Sequence, residues 1–147
     1  MKSKALIFSL VLFTAGIAFV GSGEKKEADI DEVLQIMSGT WINSKYDVRP
    51  DEAKIVCHPD GTTDNYNKTT DVAPRDHSKY TIEQAWYDRD GNIWYKATFM
   101  IIGQYGIGYE LGKLSNNATV LEFVVSVVEY PEELDPMRNY YIYYRQE

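Results

Sequence analysis

The chain is short of the residues from which catalytic and metal sites are most often built. It has one cysteine, Cys57, and two histidines, His58 and His77. A single cysteine excludes an internal disulfide, and a domain of this length folds without one. The lone thiol reads as a small buried hydrophobe. Cys57 and His58 are neighbours in an extended stretch, so their side chains point to opposite faces and do not converge on one ion. His77 stands apart in a polar stretch. No Gly-x-Ser-x-Gly segment offers a serine nucleophile. The expectation is no metal, no cofactor and no enzymatic activity.

Positive charge is also scarce, with 15 Lys and Arg against 22 Asp and Glu and a net charge of −7. Nucleic-acid affinity comes from neutralising phosphates, so an acidic chain with no basic stripe is not expected to bind nucleic acid. Anionic membrane surfaces are disfavoured for the same reason.

Long apolar runs are limited to one. Residues 5–20 are uncharged and mostly apolar, preceded by Lys2 and Lys4 and followed by Gly21-Ser22-Gly23 and a charged Glu-Lys-Lys-Glu. That is the layout of a secretory signal peptide. The run falls short of the roughly 20 residues that span a bilayer. Residues 1–23 are therefore expected to be a signal peptide, residues 24–28 a polar linker and residues 29–147 the folded domain. The domain would be exported to the periplasm or beyond, with no stable membrane insertion once the signal is removed. Its loss takes away Lys2 and Lys4 and no acid, moving the formal charge from −7 to −9.

What is present begins with a helical pattern. Ile30, Val33, Leu34 and Met37 fall at i, i+3, i+4 and i+7, on one face of a helix of two to three turns. Asp29 suits the N-cap, and Gly39 sits where the helix would end. A helix this short does not persist alone, so its apolar face needs a surface to cover.

Beyond Trp41 the pattern is one of strands, rich in Tyr, Val, Ile, Thr, Trp and Phe. Eight are expected, near 40–48, 53–58, 61–67, 78–88, 92–102, 105–114, 119–129 and 138–146. His58-Pro59-Asp60-Gly61, Arg89-Asp90-Gly91-Asn92 and Ser115-Asn116-Asn117-Ala118 read as tight hairpin turns. Longer connections fall at 49–52, 67–77 and 130–137, with a short one at Gly103-Gln104. Tight and long connections largely alternate, which in an up-and-down antiparallel array gathers the tight turns at one end. Eight strands can close into a barrel holding side chains or one small ligand. The predicted fold is therefore all-β, an eight-stranded up-and-down antiparallel barrel with a short N-terminal helix plugging the tight-turn end.

Closure pairs the last strand with the first. Arg145 would then fall beside Trp41, with its guanidinium over the indole and its donors near carbonyls of the helix. A helix, a Gly39-Thr40-Trp41 opening, eight strands and a closing arginine resemble the lipocalin and calycin superfamily, and small bacterial lipocalin-like proteins in particular. The segment 55–62, ending in Asp60-Gly61-Thr62, resembles their strand-Asp-Gly-Thr hairpin. Tyr109-Glu110-Leu111 and the apolar strand near 121–128 resemble their later barrel. The chain departs from typical members in lacking a long helix between the last two strands and the disulfides of many extracellular ones. The resemblance implies structural roles for Gly39, Trp41 and Arg145.

Other motifs read more simply. Asp88-Arg89-Asp90-Gly91-Asn92 echoes the start of a calcium loop but lacks the later acidic ligand and runs straight into a strand. Gly103-x-x-Gly106-x-Gly108 has no following helix to bind a phosphate, and glycines that let a barrel strand bend explain it better. Asn67-Lys68-Thr69 and Asn117-Ala118-Thr119 fit the glycosylation pattern, which matters only in a eukaryotic secretory pathway.

The abundant feature is aromatic, with 12 tyrosines, 3 tryptophans and 5 phenylalanines. Tyr80, Trp86, Tyr95, Phe99, Tyr109, Phe123, Tyr141 and Tyr143 are the candidate interior residues. Rings with polar tips suit an amphipathic ligand, and they can equally fill the barrel themselves. Alternation within each strand is legible, but which face is inside is not. In the first strand Trp41 shares a face with Asn43, Lys45 and Asp47, so an inward Trp41 implies a polar wall above it or a bulge. Two functions follow as expectations. One is an exported barrel binding a small hydrophobic or amphipathic molecule, its entrance rimmed by the long loops. The other is a non-catalytic protein with a filled barrel, offering acidic loops such as Glu132-Glu133-Leu134-Asp135 to a cell-envelope partner.

Overall fold

A computed structural model describes residues 25–43 and 54–146. The signal-peptide segment 1–23 lies outside the described residues, as do Lys45, Asp47 and the connection at 49–52. Within the stretch read as a linker, Lys26–Glu27 form a two-residue strand, β1, paired with the far end of β5. Lys25 and Lys26 lie over the rings of Trp86 and Tyr87 there, which holds the stretch to the barrel wall.

Helix α1, Ile30–Met37, begins where the sequence places it: the Asp29 carboxylate accepts from the Glu32 backbone N–H at 2.9 Å. Val33 and Met37 are buried, with Ile30 and Leu34 half-buried beside them. The helix is capped at Ser38, and Gly39 already opens the first barrel strand. The barrel strands are β2 (Gly39–Asn43), β3 (Lys54–Cys57), β4 (Thr62–Tyr66), β5 (Asp76–Tyr87), β6 (Ile93–Ile101), β7 (Gly108–Leu114), β8 (Val120–Ser126) and β9 (Tyr140–Arg145). Each pairs antiparallel with the next, and β9 returns to β2, so the eight close into a barrel.

The turns at 58–61, 88–92 and 115–119 lie at the helix end, and Gly61 and Gly91 take positive φ in the two Asp-Gly turns. The opposite end carries the connections at 67–75, 102–107 and 127–139. Two expectations need correction here. Residues 105–107 belong to the loop and β7 starts only at Gly108, because Gly106 sits at φ +107° and breaks the strand. His77 belongs to β5, directly opposite Asp64 of β4, and not to the preceding loop.

Closure centres on one residue. Trp41 and Arg145 are paired across β2 and β9, with the guanidinium 4.3 Å from the centre of the indole ring. Arg145 donates from Nη1 to the Ser38 carbonyl (2.8 Å), from Nε to the Ala118 carbonyl (2.6 Å) and from Nη2 to the Ile36 carbonyl. The Trp41 indole N–H donates to the Met37 carbonyl at 2.8 Å. Carbonyls at the end of a helix have no partner within it and carry partial negative charge, so a cation and an indole donor satisfy them together. Gly39 makes room for this: its φ is +131°, and a Cβ there would stand 2.9 Å from Arg145 Nη1.

Candidate functional site

Inside the barrel, above the plug, lies a cavity of about 130 Å³. Its floor is Leu34 and Met37 of α1, and its walls come from β3 to β9. Side-chain alternation decides which residues reach it. On β6, Tyr95 and Phe99 point in, and on β7 the inward positions are Gly108, Glu110, Gly112 and Leu114. The two glycines are spaces for rings. A Cβ on Gly112 would lie 2.1 Å from Tyr95 Cζ, and one on Gly108 would lie 2.3 Å from Phe99 Cζ.

Six of the eight aromatic candidates line the cavity: Tyr80, Tyr95, Phe99, Phe123, Tyr141 and Tyr143. They form two stacks, Tyr80 on Phe99 with ring centres 5.5 Å apart, and Phe123 between Tyr141 and Tyr143 at 5.2 and 5.6 Å. The other two face outward. Trp86 shares sequence parity with Tyr80, but a β-bulge between Ile82 and Gln84 adds one residue and reverses the alternation. Ala85 therefore turns inward, while Trp86 stacks on Trp94 on the outer wall. Tyr109 alternates with the inward Glu110 and meets the ring of Tyr130 edge-on at 5.1 Å. Trp41 and the buried Asn43 share the inner side of β2, so the polar-wall alternative holds there. Thr63, Asn65 and Ser78 extend that polar wall, with Asn65 donating to the Ser78 hydroxyl at 2.8 Å.

The residue that composition and periodicity did not single out is Glu110. It is buried at 1% exposure in the middle of the inner wall. The Tyr95 hydroxyl donates to its Oε1 at 2.5 Å and the Tyr80 hydroxyl to its Oε2 at 2.9 Å. Burial raises its pKa to about 7, against the two tyrosine hydrogen bonds, which pull it down. Burial also lifts both tyrosines well above their usual range, and the nearby Glu110 carboxylate adds to this. Cys57, facing the same interior, is pushed up to about 12, by burial first and then by Glu110. That thiol is inert as a nucleophile near neutral pH.

On the outer wall Asp64 accepts from both histidines, His58 Nε2 at 2.8 Å and His77 Nδ1 at 2.6 Å. Burial raises the Asp64 pKa, but these two partners outweigh it and the net shift is downward. Among the described residues no group of three or more His, Cys, Asp or Glu side chains has the arrangement of a metal site. The Asp88 carboxylate, in the turn that echoes a calcium loop, accepts from the backbone of Asp90 and Asn92, from the Asn92 side chain and from the Trp94 indole, at 2.9–3.0 Å. Those donors belong to a hairpin. The acidic loop 127–139 is strapped across the outer wall by Tyr130, whose hydroxyl donates to Glu83 at 2.6 Å.

Comparison with protein-family models, with curated proteins and with solved structures gives no match for this chain. What the fold and the cavity define is a class, a closed eight-stranded antiparallel barrel with a helical plug and a partly polar interior.

Proposed function

We propose that this is an exported, non-catalytic, lipocalin-like barrel that binds a small amphipathic molecule in its interior. The lipocalin-like reading is supported by the closed barrel, the plug helix and the Trp41–Arg145 closure. One observation carries the function: a cavity of about 130 Å³ lined by six aromatic rings on one part of its wall and by Thr63, Asn65, Ser78 and Glu110 on another. An engineered apolar cavity of about 150 Å³ accepts benzene, so the scale here is a molecule built on one six-membered ring. An apolar body with a polar end matches the two kinds of wall. Titration of the protein with single-ring fragments, followed by two-dimensional NMR, tests the reading. Shifts centred on Tyr95, Phe123 and Tyr143 are expected, and fragments that leave these residues unmoved at millimolar concentration would defeat it.

A second reading has its own support. The long-loop end exposes Val72, Ile102, Tyr105, Ile107, Val127, Val128 and Met137 on three different connections. Exposed apolar groups gathered at one end mark an interaction surface. On this reading the loops meet a cell-envelope protein. A photo-crosslinker at position 128 would then capture a discrete partner in cells, and one at Lys79 on the barrel wall would not.

A further inference from the structure

The environment of Glu110 is built for a charge, yet holds no opposite one. Two tyrosine hydroxyls aim at its oxygens, and such donors favour the ionised form. A carboxylate has about four acceptor positions, so about half remain after the tyrosines. Among the described residues no ion pair involves Glu110. The cationic side chains that line the cavity are engaged elsewhere, His58 with Asp64 and Arg75 with Asp76. A buried carboxylate is costly unless a cation or further donors complete it. The aromatic walls around it offer ring faces, which attract cations. The acidic field of the whole chain draws in the same sign of ligand.

We propose that the cavity takes a small organic cation, an ammonium group on a single-ring apolar body, with the ammonium against Glu110 and the ring among Phe99, Phe123 and Tyr143. This deepens the ligand-binding reading above and rests on it. The groups facing Glu110 that can titrate are Tyr80 on β5, Tyr95 on β6, Cys57 on β3, and Tyr141 and Tyr143 on β9. The inner faces of α1, β4 and β8 add Leu34, Met37, Thr63, Asn65, Leu121, Phe123 and Val125, none of them charged. His58 lines the cavity from the β3–β4 turn and titrates in its own right. The wild-type protein therefore needs a Glu110 variant beside it before any pH dependence can be assigned.

The test compares benzylamine with its neutral near-isostere benzyl alcohol on the full chain, by calorimetry or NMR titration at pH 6 and pH 8. Benzylamine is expected to bind about tenfold more tightly than benzyl alcohol at pH 8, the scale of one charge-assisted hydrogen bond. That preference should shrink at pH 6, where Glu110 takes up a proton. Glu110→Gln should remove the preference and its pH dependence while leaving benzyl alcohol affinity within about threefold. Equal affinity of wild type for both probes overturns the cation inference and leaves the ligand-binding reading standing. A preference that survives in Glu110→Gln also overturns it. Failure of both probes to bind overturns the ligand-binding reading itself. The wild-type pH comparison stands without the variant, should Glu110→Gln not fold.

Discussion

Tyr95 donates its hydroxyl to Glu110 across neighbouring strands at 2.5 Å, with no solvent reaching either side chain. The two residues sit diagonally on the inner wall, Tyr95 opposite Gly112 and Glu110 opposite Ala97. Because this bond stabilises the ionised carboxylate, its loss works in one direction. Tyr95→Phe should raise the Glu110 pKa above its value of about 7, read from the carboxyl carbon shift in an NMR pH titration. An unchanged or lower value would show that the hydroxyl is not the stabilising donor.

Glu110 also ties stability to pH. Its folded pKa, about 7, lies above the model value of 4.5, so the folded state holds a proton that the unfolded state has released between these values. Stability from this residue is therefore full below about pH 4.5, declines as pH rises toward 7 and is flat above. The span amounts to on the order of 3 kcal/mol. Glu110→Gln should remove that decline, so urea unfolding at pH 5 and pH 8 would differ less in the variant than in wild type.

Arg145 should be the most costly surface-reaching residue to lose. Arg145→Ala strips donors from the Ile36, Ser38 and Ala118 carbonyls and a cation from the Trp41 ring. A loss of about 3 kcal/mol is expected, given the cost of buried acceptors left unpaired. Arg145→Lys should recover only part of it, since a single ammonium does not reproduce the fork. Equilibrium denaturation of the three proteins checks both statements.

Gly112→Ala should displace the Tyr95 ring, because the new Cβ would fall 2.1 Å from Cζ. Overpacking of this kind costs about 1–3 kcal/mol. Tyrosine fluorescence and the Glu110 titration should both change, as the ring and its hydroxyl move together. Gly103→Ala, where a Cβ meets nothing within 4 Å but φ is +88°, tests backbone strain without that clash.

The Asp88 turn supplies an acid-side counterpart. Burial raises the Asp88 pKa, but donors from Asn92, Trp94 and Asp90 outweigh it, so its folded pKa lies below 3.8. Its contribution is present above the unfolded value and is lost as pH falls through the folded one. Asp88→Ala should cost about 1–2 kcal/mol at pH 7 and soften the acid-unfolding limb, followed by circular dichroism.

Much of this molecule is legible in local sequence. The Asp-Gly turns and the alternating strands set the strand count, and the i, i+3, i+4, i+7 spacing sets the buried face of α1. The nearness of Trp41 to Arg145 follows once closure is assumed, since antiparallel order alone brings the end of the last strand to the start of the first. The candidate site was legible only in part. Tyr80, Tyr95, Phe99, Phe123, Tyr141 and Tyr143 face the cavity, but Trp86 does not, because one extra residue at the bulge carries no mark in the local pattern. Glu110 was hidden between Tyr109 and Leu111, whose apolar rings and branches mimic an inward face. The available signal was the register with β6. Small residues at 108 and 112 opposite Phe99 and Tyr95 mark the side on which rings need room.

Periodicity and turn chemistry act over a few residues, so they determined the helix, the strands and their order around the barrel. Which side of each strand meets the interior depends on register, bulges and closure, and these join residues far apart in the chain. Tertiary structure alone therefore decided that a carboxylate with two tyrosines lies at the centre of the barrel, and that Asp64 is shared by His58 and His77 outside it.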